Sequence, residues 1–512
     1  MMESGVSFIL FAILAVFSFR HSLGLWLMLM ITHGIFYRYL GTGSEHIPLA
    51  GGVAVVLVTV ACRKWRGVSF GDLGLIVALL SAMALAAAFG VDSDYSLITM
   101  LMYAKGFFLV LLLAGTLHDE RDIRLMTLYC LAALVLGGLF ALFQKITGSY
   151  FISTIYDQRA AGLRGDPNDT AMLLVAGIPL CLHHLFAART VARKSLYLCS
   201  MVALLSGIIL TGSRGGFVAL LLIALLIFLR LPSLRLLLVG GILGGLFLVL
   251  APQSYWDRMH TLVSGREKHQ GKSLEHRLAL QKIGVGIFLD HPVLGVGPGN
   301  FSPAFMERFQ PGSGGRFSKT TLGDRRTYAV AHNMFLEFFV ENGMIGGFLL
   351  LAVFWRSIRG VLDLDRSRGV TRGELGLGSA IALALAGMLF AGLFLSQAKN
   401  SVLWFVTGIG FAAAVAARAP RRTEENLRLP AGRPLLSGLG RRQDSMAPIG
   451  ASLPQQRRVS PELRPKLPPL QGSSAVGLAQ AEEGRGLSAE ALAKADGDGA
   501  PYRATLAGEG TP

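Results

Sequence analysis

The chain is predicted to be an all-α polytopic membrane protein, with about 12–13 transmembrane helices and one large loop facing outward. Three observations predict it. Hydrophobic residues make up 52% of the 512 and charged residues only 16%, at a mean hydropathy of +0.52, which is too apolar for a soluble domain of this length. Apolar runs long enough to cross about 30 Å of hydrocarbon as helix recur along the chain. Lys and Arg gather in every second short connection, as they do in the cytoplasmic loops of multi-span proteins.

Taken in order, the runs lie at 22–40, 47–62, 71–90, 96–117, 122–147, 169–188 and 195–211, then at 214–230, 234–251, 332–356, 376–396 and 398–417. A short segment at 6–19, next to Arg20-His21, makes a thirteenth span or joins the next. The start of the chain lacks the basic region and cleavage site of a signal peptide, so its first apolar segment is expected to remain as a helix. Arg63 to Arg66, Arg189 to Lys194, Arg230 with Arg235, and Arg356 to Arg372 mark the inner connections. The formal charge of +16 and pI near 10.0 therefore read as topology determinants, and no nucleic acid is expected as a partner. The resulting organisation is 1–251, N-terminal membrane helices; 252–331, the outward loop; 332–417, C-terminal membrane helices; and 418–512, a disordered cytoplasmic tail rich in Pro, Gly, Ala and Arg. Cys62, Cys130, Cys181 and Cys199 form no CxxC pair, which supports neither a disulfide framework nor a zinc site. Lys105, in mid-span, is expected to face the bundle interior, and His183-His184 to sit at the membrane interface.

Chemistry is expected at the outer face. Residues 252–331 carry eleven Lys or Arg against six Asp or Glu, either a solvated basic surface or a basin that attracts an anionic head group. Ser273 can start a helix running to Asp290, where His291-Pro292 stops it, with Arg277 in its first two turns. The turn after it, Leu294-Gly-Val-Gly-Pro-Gly-Asn-Phe301, spaces its glycines as Gly295-x-Gly297-x-Gly299, so that backbone amides can approach either a phosphate or another segment. Arg214 sits in Thr211-Gly-Ser-Arg-Gly-Gly216, a break in an apolar run, where it either snorkels to the interface or meets an anion together with nearby amides. His332 opens the helix that leaves the loop, as a capping residue or as a neutral imidazole able to take a proton. Asn333, Glu337 and Glu341 share one helical face, and the two acids read as buried partners for basic residues. The connection 148–168 adds Arg159, Arg164 and Asp166-Pro-Asn-Asp169, in which Asn168 or Asp169 is expected to cap the next helix.

In combination and order, Gly212-Ser-Arg-Gly-Gly216, the loop helix with Arg277, His291-Pro-Val-Leu-Gly-Val-Gly-Pro-Gly-Asn-Phe301, and His332-Asn-Met-Phe-Leu-Glu337 with Glu341-Asn-Gly-Met-Ile-Gly346 resemble the O-antigen ligase and O-antigen polymerase superfamily over roughly residues 40–417. The resemblance implies a GT-C-like glycosyltransferase of the bacterial inner membrane, with its large loop and active site on the periplasmic side. It implies transfer from an undecaprenyl-pyrophosphate-linked glycan donor to an acceptor hydroxyl by a metal-independent, inverting reaction that needs no cofactor. Arg214, Arg277 and His332 would then be catalytic, the arginines on the pyrophosphate and the histidine on the acceptor; Arg159, Arg164, Gly297, Gly299 and Asn333 would complete the substrate site. The acceptor would be the lipid A core for a ligase, a growing glycan for a repeat-unit polymerase, or, less in keeping, a protein hydroxyl. A transporter of anionic polysaccharide also fits many helices and a basic outer surface. Transporters, however, show internal repeats and broken helices or charges at mid-membrane, whereas this sequence shows no half-to-half repeat and gathers its candidate residues at the outer face.

Overall fold

A computed structural model describes residues 13–14, 18–32, 46–61, 64–149, 159–162, 165–232, scattered positions between 238 and 249, 251, 253–264, 273–308, 329–371 and 373–419. The chain divides into two units, Met1–Arg428 and Leu429–Pro512. The second unit, and with it nearly all of the predicted tail, lies outside the described residues, as do Arg164, most of the span predicted at 6–19 and half of that predicted at 234–251.

Among the described residues every regular element is a helix: α1 (residues 18–32), α2 (His46–Ala61), α3 (Phe70–Ala88), α4 (Ser93–Thr116), α5 (Glu120–Thr147), α6 (Pro167–Ala187), α7 (Val191–Thr211), α8 (Arg214–Arg230), α9 (Gln253–Ser264), α10 (Ser273–Asp290), α11 (Phe301–Arg308), α12 (Met334–Ser367), α13 (Leu377–Ala391) and α14 (Ser401–Arg418). Seven of them, α3 to α7, α12 and α14, are long and apolar enough to cross a membrane. The chain is thus an all-α, multi-pass membrane protein. α6 runs through the middle, with every residue from Thr170 to Leu185 buried. It packs on α7 and α13, while α14 lies between α12 and α4. In a bilayer such contacts rest on close van der Waals packing, because lipid tails are as apolar as leucine. Gly360 of α12 accordingly lies directly against the Gly410 carbonyl of α14, and Trp404 of α14 meets Phe107 of α4 edge-on at 4.7 Å.

One end of the bundle is tied by charge. Arg356 of α12 forks onto Asp72 in the first turn of α3, at 2.6 and 2.9 Å. Arg368 meets Glu120 at 2.9 Å, and the Asp365 carboxylate accepts from the Gly378 and Ser379 amides, both at 2.7 Å, at the start of α13. His183-His184, expected at the membrane interface, belong to this end and are buried within the protein, with His183 Nδ1 2.8 Å from the Leu375 carbonyl. Proline at 179 and a run of leucines hide from a hydropathy reading that α6 has no lipid-facing side. Lys105 also departs from expectation. It is exposed, on the α4 face that presents Leu101, Met102 and Phe108 outward, because Tyr103, Phe107 and Val110 occupy the face turned to the bundle.

Two further differences shape the other end. The helix predicted at 332–356 extends to Ser367 and breaks at Gly343, whose φ of 62° and ψ of −169° belong to a region open essentially to glycine. The span predicted at 376–396 stops at Ala391, and residues 392–400 are non-helical before Asn400 caps α14. Met344-Ile345 after the first break and Leu393 to Leu395 at the start of the second stretch are apolar, so hydropathy alone carries the helix through them.

Candidate functional site

The Thr211–Arg214 corner is a helix-to-helix joint. α7 ends on Gly212 at φ 55°, Ser213 accepts the Gly216 amide at 3.2 Å as N-cap, and α8 begins with Arg214. Arg214 is half-buried at the first position of α8, where the unpaired amides of a first turn and the positive end of a helix already favour an anion.

Arg159 holds this corner from outside. Its Nε donates to the Thr211 carbonyl at 2.6 Å and an Nη to Asn168 Oδ1 at 3.1 Å, while Ser213 Oγ donates to the same Asn168 oxygen at 3.0 Å. Predicted as a substrate ligand, Arg159 is built into the wall that sets Arg214. The cap of α6 is Asp166, which accepts the Asn168 and Asp169 amides at 2.6 and 3.2 Å. That correction frees Asn168 for the corner and Asp169 for Gln397, whose Nε2 donates to it.

Gln397 lies in the 392–400 segment, which touches both halves of the site. On one side Cβ of Phe394 lies near Gly215, next to Arg214, and Gln397 holds Asp169. On the other, the Met334 amide donates to the Gly392 carbonyl at 2.7 Å, and Ser396 Oγ donates to Glu337. Glu337 in turn accepts the Ala331 amide at 3.2 Å, immediately before His332. Lys399 acts electrostatically on both Glu337 and Glu341, the basic partner those acids were expected to have. The sequence reading missed this segment. Its signal is a cluster of polar residues, Ser396, Gln397, Lys399 and Asn400, dropped between two apolar runs.

His332 is half-buried and has φ 49°, the one non-glycine residue among the described residues with positive φ. A left-handed histidine is uncommon, and such residues persist where their surroundings hold them, as the Glu337 contact and the Asn333 cap do here. Asn333 Oδ1 accepts the Phe335 and Leu336 amides, both at 3.1 Å. Its predicted ligand role is therefore replaced, for that oxygen, by capping α12.

Arg277 approaches from α10. Leu280 and Gly284 follow it by three and seven residues, on one helix face. Gly284 packs near Phe301 and Leu336, and Leu280 shares an apolar cluster with Ala331 and Val340. The face bearing half-buried Arg277 is thus turned to the stretch that carries His332.

The glycine turn does different work from the phosphate cradle that was one of its expected roles. The Val296 and Gly297 amides donate to the Val340 and Glu341 carbonyls at 3.0 and 2.9 Å, the Met344 amide donates to Pro292 at 2.8 Å, and the Gly299 and Phe301 amides donate to the Glu341 carboxylate. Residues 291–301 plug the break at Gly343. Gly297 and Gly299, at φ 97° and 83°, serve that joint because their amides are committed to Glu341.

Beside Arg214 lies an aromatic group that the sequence reading did not single out. Phe217, one turn into α8, meets Trp256 at 6.4 Å and Tyr255 at 6.1 Å, with Phe247 completing the cluster. Burial pushes the Tyr255 phenol above its usual pKa, so it stays protonated.

In comparisons with known proteins, residues 199–351 match the family described as O-antigen ligase, a stretch that contains Arg214, Arg277 and His332. No curated protein matches. A family match of this kind supports a role in transferring lipid-linked glycans.

Proposed function

We propose, from the match of residues 199–351 to the O-antigen ligase family, that the chain transfers a glycan from undecaprenyl pyrophosphate to an acceptor hydroxyl on the periplasmic side of the inner membrane, as a ligase. Arg214 and Arg277 hold the pyrophosphate. Planar guanidinium forks suit its oxygens and neutralise the charge that grows on them as the glycosidic bond breaks, so the reaction proceeds without a metal. His332 takes the proton from the acceptor hydroxyl, whose oxygen attacks the anomeric carbon from the face opposite the pyrophosphate. The bond from that carbon to the pyrophosphate oxygen breaks, its electron pair leaves with undecaprenyl pyrophosphate, and the configuration inverts. The aromatic surface of Trp256 and Phe217 gives sugar or prenyl groups an apolar face beside Arg214.

One observation carries this reading: residues 392–400 contact the Arg214 corner on one side and the start of α12, next to His332, on the other. Arg214→Ala, Arg277→Ala and His332→Ala, each expressed in a deletion strain, are expected to abolish glycan attachment while immunoblots of the membrane fraction show normal insertion. Unchanged glycan profiles for all three variants would overturn the assignment. The deletion itself identifies the acceptor. Long lipid-linked polymer left unattached marks a ligase, whereas single repeats mark a polymerase.

A further inference from the structure

The opposite end of the bundle contains a cavity of about 380 Å³ that the transfer reaction does not use. It is walled by the start of α1, by residues 64–66 and by the turn between α4 and α5. Extended backbone alternates its side chains, and here the alternation is put to use. Trp65 packs on Gly115, the Arg66 amide donates to the Gly115 carbonyl at 3.0 Å, and Lys64 and Arg66 line the cavity on either side of that anchor. Arg20, the third cation, is held by Asp122 at 2.7 Å and Asp119 at 3.8 Å. Three cations thus face two carboxylates, and both carboxylates are engaged by Arg20, which leaves the surplus charge at Lys64 and Arg66. His118 completes the wall. Its ring donates to the Thr116 carbonyl, and its buried Nε2 has no hydrogen-bond partner among the described residues.

Apolar groups line the cavity or lie next to its basic wall along the chain. Phe19 lines it, Trp65 is 42% exposed, and Phe70, which opens α3, is 94% exposed. Aromatic residues at a helix end beside basic ones mark the level of lipid head groups, and basic pockets between membrane helices take anionic heads there. We infer that this cavity binds the phosphate of an anionic phospholipid, with Lys64 and Arg66 on the phosphate oxygens and the acyl chains along Phe70. The site is separate from the proposed transfer site, so either assignment stands or falls alone.

The test uses the purified full-length protein in neutral detergent, with lipid retention followed by native mass spectrometry. Phosphatidylglycerol should be retained in preference to phosphatidylcholine. Lys64→Ala/Arg66→Ala should weaken phosphatidylglycerol binding about thirtyfold, from the contribution of two basic groups near a lipid surface. Arg189→Ala/Lys194→Ala removes two exposed charges, one just before and one in the first turn of α7, outside the cavity lining, and should leave binding nearly intact. Inorganic phosphate is the competitor: failure to displace the lipid identifies the lipid head group as ligand, and displacement at similar concentration identifies free phosphate and overturns the lipid assignment. Lys64→Arg/Arg66→Lys should keep most of the affinity, and a thermal melt without added lipid checks that each variant is folded. Unaltered phosphatidylglycerol retention in folded Lys64→Ala/Arg66→Ala, or an equal loss in the Arg189/Lys194 variant, would overturn the inference.

Discussion

Replacing Arg159 by lysine keeps a positive charge beside the Thr211–Arg214 corner but removes the fork that holds the corner in place. The guanidinium makes two bonds there, at 2.6 Å to the Thr211 carbonyl and 3.1 Å to Asn168. A lysine ammonium cannot reproduce both directions at once. A hydrogen bond to a charged group contributes about 1.5–3 kcal/mol. Arg159 is only half-buried, so the lower part of that range applies, and losing one bond while straining the other costs about 2 kcal/mol. If that energy keeps Arg214 in its reacting position, kcat/KM falls about thirtyfold in Arg159→Lys; Arg159→Ala, at about 3 kcal/mol, falls roughly 150-fold. Asn168→Ala disrupts the same network, so adding it to Arg159→Ala should cost little more than Arg159→Ala alone. The assay is the rate at which native lipid-linked glycan is consumed in isolated membranes, normalised to enzyme by immunoblot. A wild-type rate for Arg159→Lys would show that Arg159 supplies charge and not geometry, and fully additive losses in the double variant would show that the two residues act separately.

Other perturbations test the scaffold. Gly343→Ala forces a side chain into a left-handed, extended conformation and places its Cβ 2.6 Å from the Leu294 nitrogen, so thermal unfolding should show a loss of at least about 3 kcal/mol together with lost transfer; a normal melt would contradict the docking of residues 291–301 into the break. Arg356→Ala strands Asp72, whose side chain is 4% exposed, and should cost about 3 kcal/mol, whereas Asp72→Ala leaves a guanidinium that is already 24% exposed and should cost about half as much; equal losses would refute that asymmetry. His118 has Arg20, Lys64, Arg66, Asp119 and Asp122 around it, and burial first, then Arg66, lowers its pKa below the ordinary 6.5 despite the opposing pull of Thr116 and Asp119. The unfolded chain therefore binds this proton at higher pH than the folded one, so stability is lost as pH falls below 6.5, until the folded ring titrates too. His118→Gln should flatten that limb of the unfolding curve, and superimposable acid limbs would refute the assignment.

Much of the membrane architecture was legible because lipid makes it so. A helix is the element that can satisfy its own backbone while exposing an apolar surface, so each run such as Ser93–Thr116 or Glu120–Thr147 could be read from length and composition. What hydropathy cannot read is which face of a helix meets lipid. Lys105 and His183 show the failure in opposite directions: the charged residue is on the outside of α4, while the histidine is inside a helix buried on all sides. Nor can it place a break that has apolar residues on its flank. Gly343 is followed by Met344-Ile345 and the 392–400 segment opens with Gly-Leu-Phe-Leu, so the helix is read past the first break and about five residues too far into the second. Within the candidate site, the Gly-Ser-Arg corner and the α10 boundaries were legible from local chemistry: glycine and serine at a helix joint, and a His-Pro stop. The roles of Arg159 and of the glycine turn were not, because both depend on partners far away in sequence, Thr211 and Glu341.

The break at Gly343 bears on the choice between chemistry and transport, because broken helices are one mark of transporters. Where a discontinuous helix serves a transporter, the unwound backbone is left open to coordinate the substrate or coupling ion near mid-membrane. Here the groups released by the break are taken up by the protein. The Val340 and Glu341 carbonyls accept from Val296 and Gly297, and the Met344 amide donates to Pro292. Glu341, the charged group nearest the break, accepts two further amides from the same inserted turn. An ion or sugar would have to evict the 291–301 turn to reach these atoms, and to do so it would have to separate α10 and α11 from the stretch that carries His332. The break is therefore an anchor that sets the loop helices against the start of α12. It fixes the register of the helix that carries Arg277 against the stretch that carries His332, a geometry that suits a reaction held in place more than a substrate passed through.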